Sequence, residues 1–120
     1  MGIIKLKENY EFRRAYKKGK SLVSPFFVVY VFKTRRGSVR LGVTAGKKLG
    51  GAVSRNRAKR VAAAAFRECL PGLRAGYDYV IVARTRILEI KSTAAAASLK
   101  KLLGGAGLWS ENSENGQNTD

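Results

Sequence analysis

Val39-Arg40-Leu41-Gly42-Val43-Thr44-Ala45, followed by Gly46-Lys47-Lys48-Leu49-Gly50-Gly51 and then Ala52-Val53-Ser54-Arg55-Asn56-Arg57-Ala58-Lys59-Arg60-Val61-Ala62-Ala63-Ala64-Ala65-Phe66-Arg67-Glu68-Cys69, is the stretch on which the reading of the fold turns. Its first seven residues alternate well enough to predict a strand. Lys47 to Gly51 is a basic glycine loop. Residues 53 to 69 hold no Gly or Pro and are rich in Ala and Arg, which predicts a helix with Ser54 available as N-cap. On a helical wheel Ala58, Val61, Ala62, Ala65 and Cys69 share one side, and Asn56, Lys59, Arg60 and Arg67 lie opposite. Pro71-Gly72 ends it.

Toward the N-terminus, Phe26-Phe27-Val28-Val29-Tyr30-Val31-Phe32 is apolar at both alternating positions, which predicts a central strand covered on each face. Arg35-Arg36-Gly37-Ser38 supplies a turn, so the strand at 39 to 45 is expected as its antiparallel partner. Lys20-Ser21-Leu22-Val23 offers a short edge strand. Glu8 to Lys18 reads as a helix: Asn9 can cap it, Phe12, Ala15 and Tyr16 recur at helical spacing, and Gly19 stops it. Its other face is Arg13, Arg14, Lys17 and Lys18. Toward the C-terminus, Tyr77-Asp78-Tyr79-Val80-Ile81-Val82-Ala83 is another buried strand, and residues 92 to 103 form a last helix on Ala95, Leu99, Leu102 and Leu103. From Gly104 onward the composition is too polar to order itself, with docking of Leu108-Trp109 left open. One α+β domain over residues 1 to 103 and a polar tail over 104 to 120 are expected.

The charge is concentrated in the opening stretch. Between Lys47 and Arg67 lie seven Lys or Arg and no acid, and the whole chain sets 24 Lys and Arg against 8 Asp and Glu, a formal +16. Such a surface repels itself and is best tolerated when a polyanion neutralises it, with nucleic acid the first candidate. A single Cys and no His exclude a disulfide within the chain and a structural zinc site of the usual Cys/His type. Cys69 is expected to be a small buried hydrophobe. No apolar run approaches the roughly 18 to 20 residues needed to span a bilayer, and Met1-Gly2-Ile3-Ile4-Lys5-Leu6-Lys7 lacks a signal peptide's apolar region, so a cytoplasmic protein with no membrane partner is expected.

A chain without His lacks the usual general base. Glu8, Glu11, Glu68, Asp78 and Glu89 are scattered among cations, which would hold them ionised for ion pairs rather than proton transfer. Gly42 to Lys48 resembles a phosphate-binding P-loop but is one residue short between the glycines and lacks the Ser or Thr after the lysine. Arg55 and Arg57 fall in the expected first turn of the helix, where the macrodipole disfavours cations by a few tenths of a kcal/mol or more. Phosphates placed there would meet guanidinium forks and free backbone amides, and Asn56 adds an amide able to reach a base edge or a 2′-hydroxyl.

The aromatic residues leave two readings open. Phe12 and Tyr16 lie one helical turn apart, and Phe26, Val28, Tyr30 and Phe32 line one strand face. Either these rings are core, or Phe12, Tyr16 and Tyr30 edge a groove flanked by Arg13, Lys17 and Lys18, where unpaired nucleotides stack at roughly 1 to 3 kcal/mol per base.

The run Gly42 to Arg60, with paired lysines, a glycine, Ala-Val and then Arg-Asn-Arg-x-Lys-Arg, closely resembles the protein subunit of bacterial ribonuclease P. The likeness continues through Phe12 and the basic helix after it, Gly19, Phe27-Val28-Val29-Tyr30, Arg40-Leu41-Gly42, Ala65-Phe66-Arg67 and Tyr77 to Arg84, about residues 5 to 103. The resemblance implies an α+β two-layer α/β sandwich in the order αβββαβα, ribosomal protein S5 domain 2-like, with an unusual left-handed βαβ crossover around the Arg-rich helix. It implies a subunit that is not catalytic on its own. The RNA subunit would hold the Mg2+ ions and cleave the 5′ leader from precursor tRNA, while the protein, a monomer within the complex, binds that RNA and the leader. By similarity Lys47, Lys48, Arg55, Asn56, Arg57, Lys59, Arg60 and Arg67 would face the catalytic RNA, and Phe12, Arg13, Tyr16, Lys17 and Tyr30 would line the leader cleft.

Two departures from the family pattern stand out. Ala63-Ala64 replaces a common Arg-Glu, and Ala94 to Ala97 replaces a stretch usually rich in Lys and Glu; both runs favour helix. The missing cation at Ala63 should weaken RNA affinity without changing the fold. The competing readings are a structural RNA-binding protein of the ribosome, equally consistent with size and charge, and a protein-only metal nuclease, opposed by the absent His and unpaired carboxylates.

Overall fold

The computed structural model describes residues 2–111. Strands β1 (Ile3–Lys5), β2 (Lys20–Val23), β3 (Phe27–Lys33), β4 (Val39–Ala45) and β5 (Tyr77–Ala83) form one mixed sheet in the order β1-β4-β5-β3-β2. Helices α1 (Asn9–Lys18), α2 (Ala52–Cys69) and α3 (Ser92–Gly105) pack on it. The fold class is α+β, as expected, and β1 precedes the expected order of elements.

The expected pairing of β3 with β4 does not occur. β5 lies between them, antiparallel to β3 from Phe27↔Ala83 to Lys33↔Tyr77 and parallel to β4 from Val39↔Tyr77 to Ala45↔Ala83. The burial of β5 explains this: Asp78, Tyr79, Val80 and Ile81 are all fully buried, so the strand cannot leave an edge in water. Residues 34 to 38 therefore pass over the entry to β5 instead of closing a hairpin. Thr34 N–H donates to the Gly76 carbonyl at 2.8 Å, and Gly76 N–H donates to the Ser38 carbonyl at 3.0 Å. β2 pairs with β3 at one edge, as its sequence suggests. At the other edge β1, too short to show a period, pairs in parallel with Val39 to Leu41 alone.

The two faces of the sheet are covered unequally. On one, Phe27, Val29, Val31, Leu41, Tyr79 and Ile81 meet Ala58, Ala62, Ala65 and Phe66 of α2 and Ala95, Leu99 and Leu103 of α3. Small side chains on both helices permit close approach to the sheet and to each other. On the other face α1 covers a smaller cluster of Leu6, Ala15 and Val80, with Phe12, Tyr30, Phe32 and Val82 half-buried around it. That face is only partly roofed, and Val23 at its margin is 60% exposed.

Helix boundaries differ from expectation in ways that matter for charge. Glu8, not Asn9, is the N-cap of α1, and Glu11 reaches back to accept from the backbone N–H groups of Lys7 and Glu8 at 3.3 and 3.2 Å. α2 begins at Ala52 with Gly51 as N-cap, so Ser54 does not cap it. Arg55 is the fourth helical residue, with its N–H already bonded to the Gly51 carbonyl at 3.0 Å, and Arg57 sits in the second turn. The dipole penalty expected at these arginines is accordingly smaller. At the other end, α3 runs past residue 103 to Gly105, and packing continues through Ser110. Leu108 is buried, Trp109 Nε1 donates to the Cys69 carbonyl at 3.0 Å, and Ser110 N–H donates to the Gly72 carbonyl. The remainder of the expected tail, 112 to 120, lies outside the described residues. Cys69 is fully buried, and burial pushes its thiol up to about 12.

Candidate nucleic-acid interface

α2 divides cleanly by face. Ala58, Val61, Ala62, Ala65, Phe66 and Cys69 are buried, whereas Asn56, Arg57, Lys59, Arg60 and Arg67 are exposed and Arg55 is half-exposed. Lys47 and Lys48 project from a single 3-10 turn, Lys47–Leu49, seated by buried Leu49 and closed by Gly50 at φ +109°, a conformation that favours glycine. None of these seven cations forms an ion pair among the described residues. Four acids are engaged elsewhere: Glu11 and Asp78 with Arg40, Glu68 with Lys100 at 3.9 Å, and Glu89 with Arg86 at 3.7 Å.

The buried acids position α1. Arg40 on β4 donates from Nε to Asp78 Oδ1 at 2.8 Å, and from Nη2 to Asp78 Oδ2 at 3.1 Å and to Glu11 Oε2 at 2.5 Å. Arg14, one turn along α1 from Glu11, adds a bond from Nη2 to Asp78 Oδ2 at 3.2 Å and lies over the Phe32 ring at 4.6 Å. Burial works against ionisation of Glu11, but the Glu8 N–H, the Arg40 guanidinium and the Lys7 N–H outweigh it and hold the carboxyl below the ordinary glutamate value. Asp78 and, against burial, Glu11 hold Arg40 above the ordinary arginine value. These carboxylates therefore serve ion pairs, as their cationic neighbourhood suggests. The network itself was not legible: Glu11, Arg40 and Asp78 are far apart in sequence, and the one weak signal is an arginine inside an otherwise apolar strand.

Clamped in this way, α1 turns Phe12 and Tyr16 toward the partly roofed face. The Phe12 ring lies directly on Gly42, where a Cβ would fall 2.5 Å from a ring carbon, so the glycine makes room for the ring. Tyr16, 39% exposed, meets Tyr30 of β3 edge-on with centroids 5.0 Å apart. Arg13 and Lys17 are exposed beside them. The structure thus brings Phe12, Arg13, Tyr16, Lys17 and Tyr30 together along one side of α1, with Phe12 and Tyr30 half in the core and Tyr16 the most exposed of the three rings. Phe26 does not join them; it packs against the main core with Arg86 5.4 Å above its ring.

The two constellations meet at the β1 edge of the sheet. A cavity of about 800 Å3 opens there, lined by Phe12 on α1, Val43 on β4, Lys59, Arg60, Ala63 and Arg67 on α2, and Lys5 on β1. A smaller recess of about 370 Å3 lies between Arg57 and Arg60 on α2 and Lys91 at the start of α3. Lys5 and Lys91 were not among the sequence candidates, since neither belongs to a run or a period. Among the described residues no group of three or more His, Cys, Asp or Glu could hold a metal ion, and the two buried carboxylates are already bonded to guanidinium groups. The side chains of the described residues do not fit a Mg2+ site built by the protein alone. No helix among the described residues is long and apolar enough to cross a membrane.

Fold and site together define a small, strongly basic α+β protein with an unneutralised cationic helix beside an aromatic cleft. The chain belongs to the ribonuclease P protein family: the family model described as Ribonuclease P matches residues 3–107. It is 36% identical over 101 residues to the ribonuclease P protein component of a Thermoanaerobacter species, covering 84% of this chain and 87% of the relative. Among solved structures it is similar to the Staphylococcus aureus RNase P protein, with a TM-score of 0.77 at 33% identity over 88% of this chain and 97% of that one. The Thermotoga maritima RNase P protein superposes with a TM-score of 0.74 at 30% identity over 82% of this chain and 94% of that one.

Proposed function

We propose that this protein acts in the cytoplasm as the non-catalytic subunit of an RNA-based ribonuclease P, binding the catalytic RNA through α2 and the Lys47-Lys48 turn and binding the single-stranded 5′ leader of precursor tRNA in the cleft beside α1. The observation that carries the reading is the set of seven cations from Lys47 to Arg67 without an acidic partner among the described residues, on a chain of this family. Unpaired guanidinium and ammonium groups on a rigid helix exchange condensed counterions for phosphates, and this exchange makes affinity salt-dependent. Arg fits phosphate oxygens with its planar fork; Lys supplies a point charge. On the other surface the exposed Tyr16 ring offers a stacking face for an unpaired base, and Arg13 and Lys17 meet the backbone on either side of it. Mg2+ belongs to the RNA subunit in this reading, in keeping with a protein whose two buried carboxylates, Glu11 and Asp78, are bonded to arginine. Catalysis is then the RNA's, and the protein contributes affinity for a substrate that still carries its leader.

The test is to titrate the complex of protein and catalytic RNA with precursor and mature tRNA. Tighter binding of the precursor, lost when the protein is omitted, is the expected result. Equal affinity for the two would favour a structural ribosomal role, which has no reason to distinguish them.

A further inference from the structure

The cavity at the β1 edge is not explained by a helix face lying on phosphates, because its floor is apolar. We propose that it receives one unstacked nucleotide of the RNA subunit, its base on the floor and its phosphate at the rim; this rests on the reading that α2 faces that RNA.

Four observations carry the assignment. The volume, about 800 Å3, falls within the range of small-ligand sites, about 300 to 1,000 Å3. The rim is cationic from two sides, with Lys59, Arg60 and Arg67 on α2 and Lys5 across on β1, and no acidic residue lines the cavity. Beneath them Ile3, Leu41, Val43 and Leu70, all of the core face that α2 covers, form an apolar surface. Finally, β1 stops pairing at Leu41, whose carbonyl accepts from Leu6 N–H at 2.9 Å. Strand alternation points the backbone N–H and C=O of Val43, two residues on, out of the same sheet edge, where no further strand pairs among the described residues. A purely apolar ligand would leave the rim unneutralised, and a simple anion would leave the floor uncovered. A nucleotide satisfies both, and the free backbone groups of Val43 can read the edge of its base. The RNA subunit is the source because three of the four rim cations belong to α2.

Ala63 stands half-buried in the wall between rim residues, so Ala63→Trp fills the cavity without removing a charge. The experiment compares wild type, Ala63→Trp and Arg57→Ala, which lies outside this cavity, for binding to the organism's own catalytic RNA transcribed in vitro. The RNA is then probed with dimethyl sulfate at saturating protein, and thermal melts verify folding. Contact with one base is worth about 5- to 150-fold in affinity. The expected result for Ala63→Trp is a loss of about tenfold or more, with one protein-dependent base protection reverting while the others persist. Binding within twofold of wild type and an unchanged protection pattern, with Arg57→Ala still impaired, would overturn the proposal and leave the RNA-binding reading intact. Loss confined to the preference for precursor over mature tRNA would make the leader the occupant and overturn the assignment to the RNA subunit. Failure of the wild-type protein to bind the RNA would remove the reading on which the proposal rests. If Ala63→Trp melts early, Ala63→Leu repeats the test with a smaller filling side chain.

Discussion

Replacing Arg40 with methionine removes the guanidinium that Asp78 and Glu11 share while keeping much of its aliphatic length. Asp78, fully buried, would keep only its 3.2 Å bond from Arg14, and Glu11 would keep only the backbone N–H groups of Lys7 and Glu8. Two carboxylates would then share one buried site with a single, partly exposed guanidinium. Breaking a buried pair by removing one partner costs about 3 to 5 kcal/mol, chiefly because a charge is left uncompensated. For a domain of this size each kcal/mol lowers Tm by about 4 °C, so a drop of about 12 to 20 °C is expected. Circular dichroism melts at pH 7 measure it. Arg40→Met combined with Asp78→Leu should recover part of the loss, since the stranded charge goes with its partner.

The pH dependence follows from Glu11. Its folded value lies below the ordinary one, so its stabilising contribution is complete above about pH 4.3 and is lost as pH falls through the folded value. Wild-type Tm should fall on acidification below about pH 4.3 more steeply than that of Arg40→Met, where the guanidinium no longer holds the carboxylate ionised. A drop of under about 4 °C for Arg40→Met at pH 7 would refute the reasoning and leave apolar contacts and the Arg14–Asp78 pair sufficient to hold α1.

Other expectations concern the two surfaces and the buried thiol. Lys59→Ala or Arg57→Ala should weaken binding to the catalytic RNA and flatten its dependence on log salt by roughly 0.7 to 0.9 per lost phosphate contact; filter binding over a salt series checks this, and an unchanged slope would take the residue out of the interface. Tyr16→Ala should reduce the preference for precursor over mature tRNA by about 1 to 3 kcal/mol while leaving affinity for the catalytic RNA and the melting curve nearly unchanged, because the ring is more exposed than Phe12 or Tyr30. Cys69, with its thiol at about 12, should resist iodoacetamide at pH 8 in the native state and label on unfolding, as read by mass spectrometry; rapid native labelling would contradict its burial.

What the sequence revealed and what it withheld divide along the range of the interactions. α2 was legible because its alternation of alanine-rich and cationic positions is local, and the same pattern separated Ala58, Val61 and Ala62 from Lys59 and Arg60. β3 and β5 announced themselves by apolar content. Their order in the sheet did not, because insertion of β5 between β3 and β4 is settled by which strand can least tolerate an edge. β1 fell below the length at which a period is visible. The cap of α2 was misplaced by three residues since glycine leaves no side-chain signature at an N-cap, whereas Ser54 does. Among site residues, the cleft set is assembled by a clamp, Glu11–Arg40–Asp78, whose members are joined only by the tertiary fold. Lys5 and Lys91 reach the cationic recesses from other elements and gave no sequence signal at all.

The most direct test of the account is cleavage of precursor tRNA at low Mg2+ and physiological salt by the catalytic RNA alone, the protein alone, and both together. Efficient removal of the 5′ leader only by the combination, with the protein alone inert, is the predicted result. Cleavage by the rigorously purified protein alone, or no change on adding it to the RNA, would contradict the assignment of this chain as a non-catalytic subunit that binds the RNA and the leader.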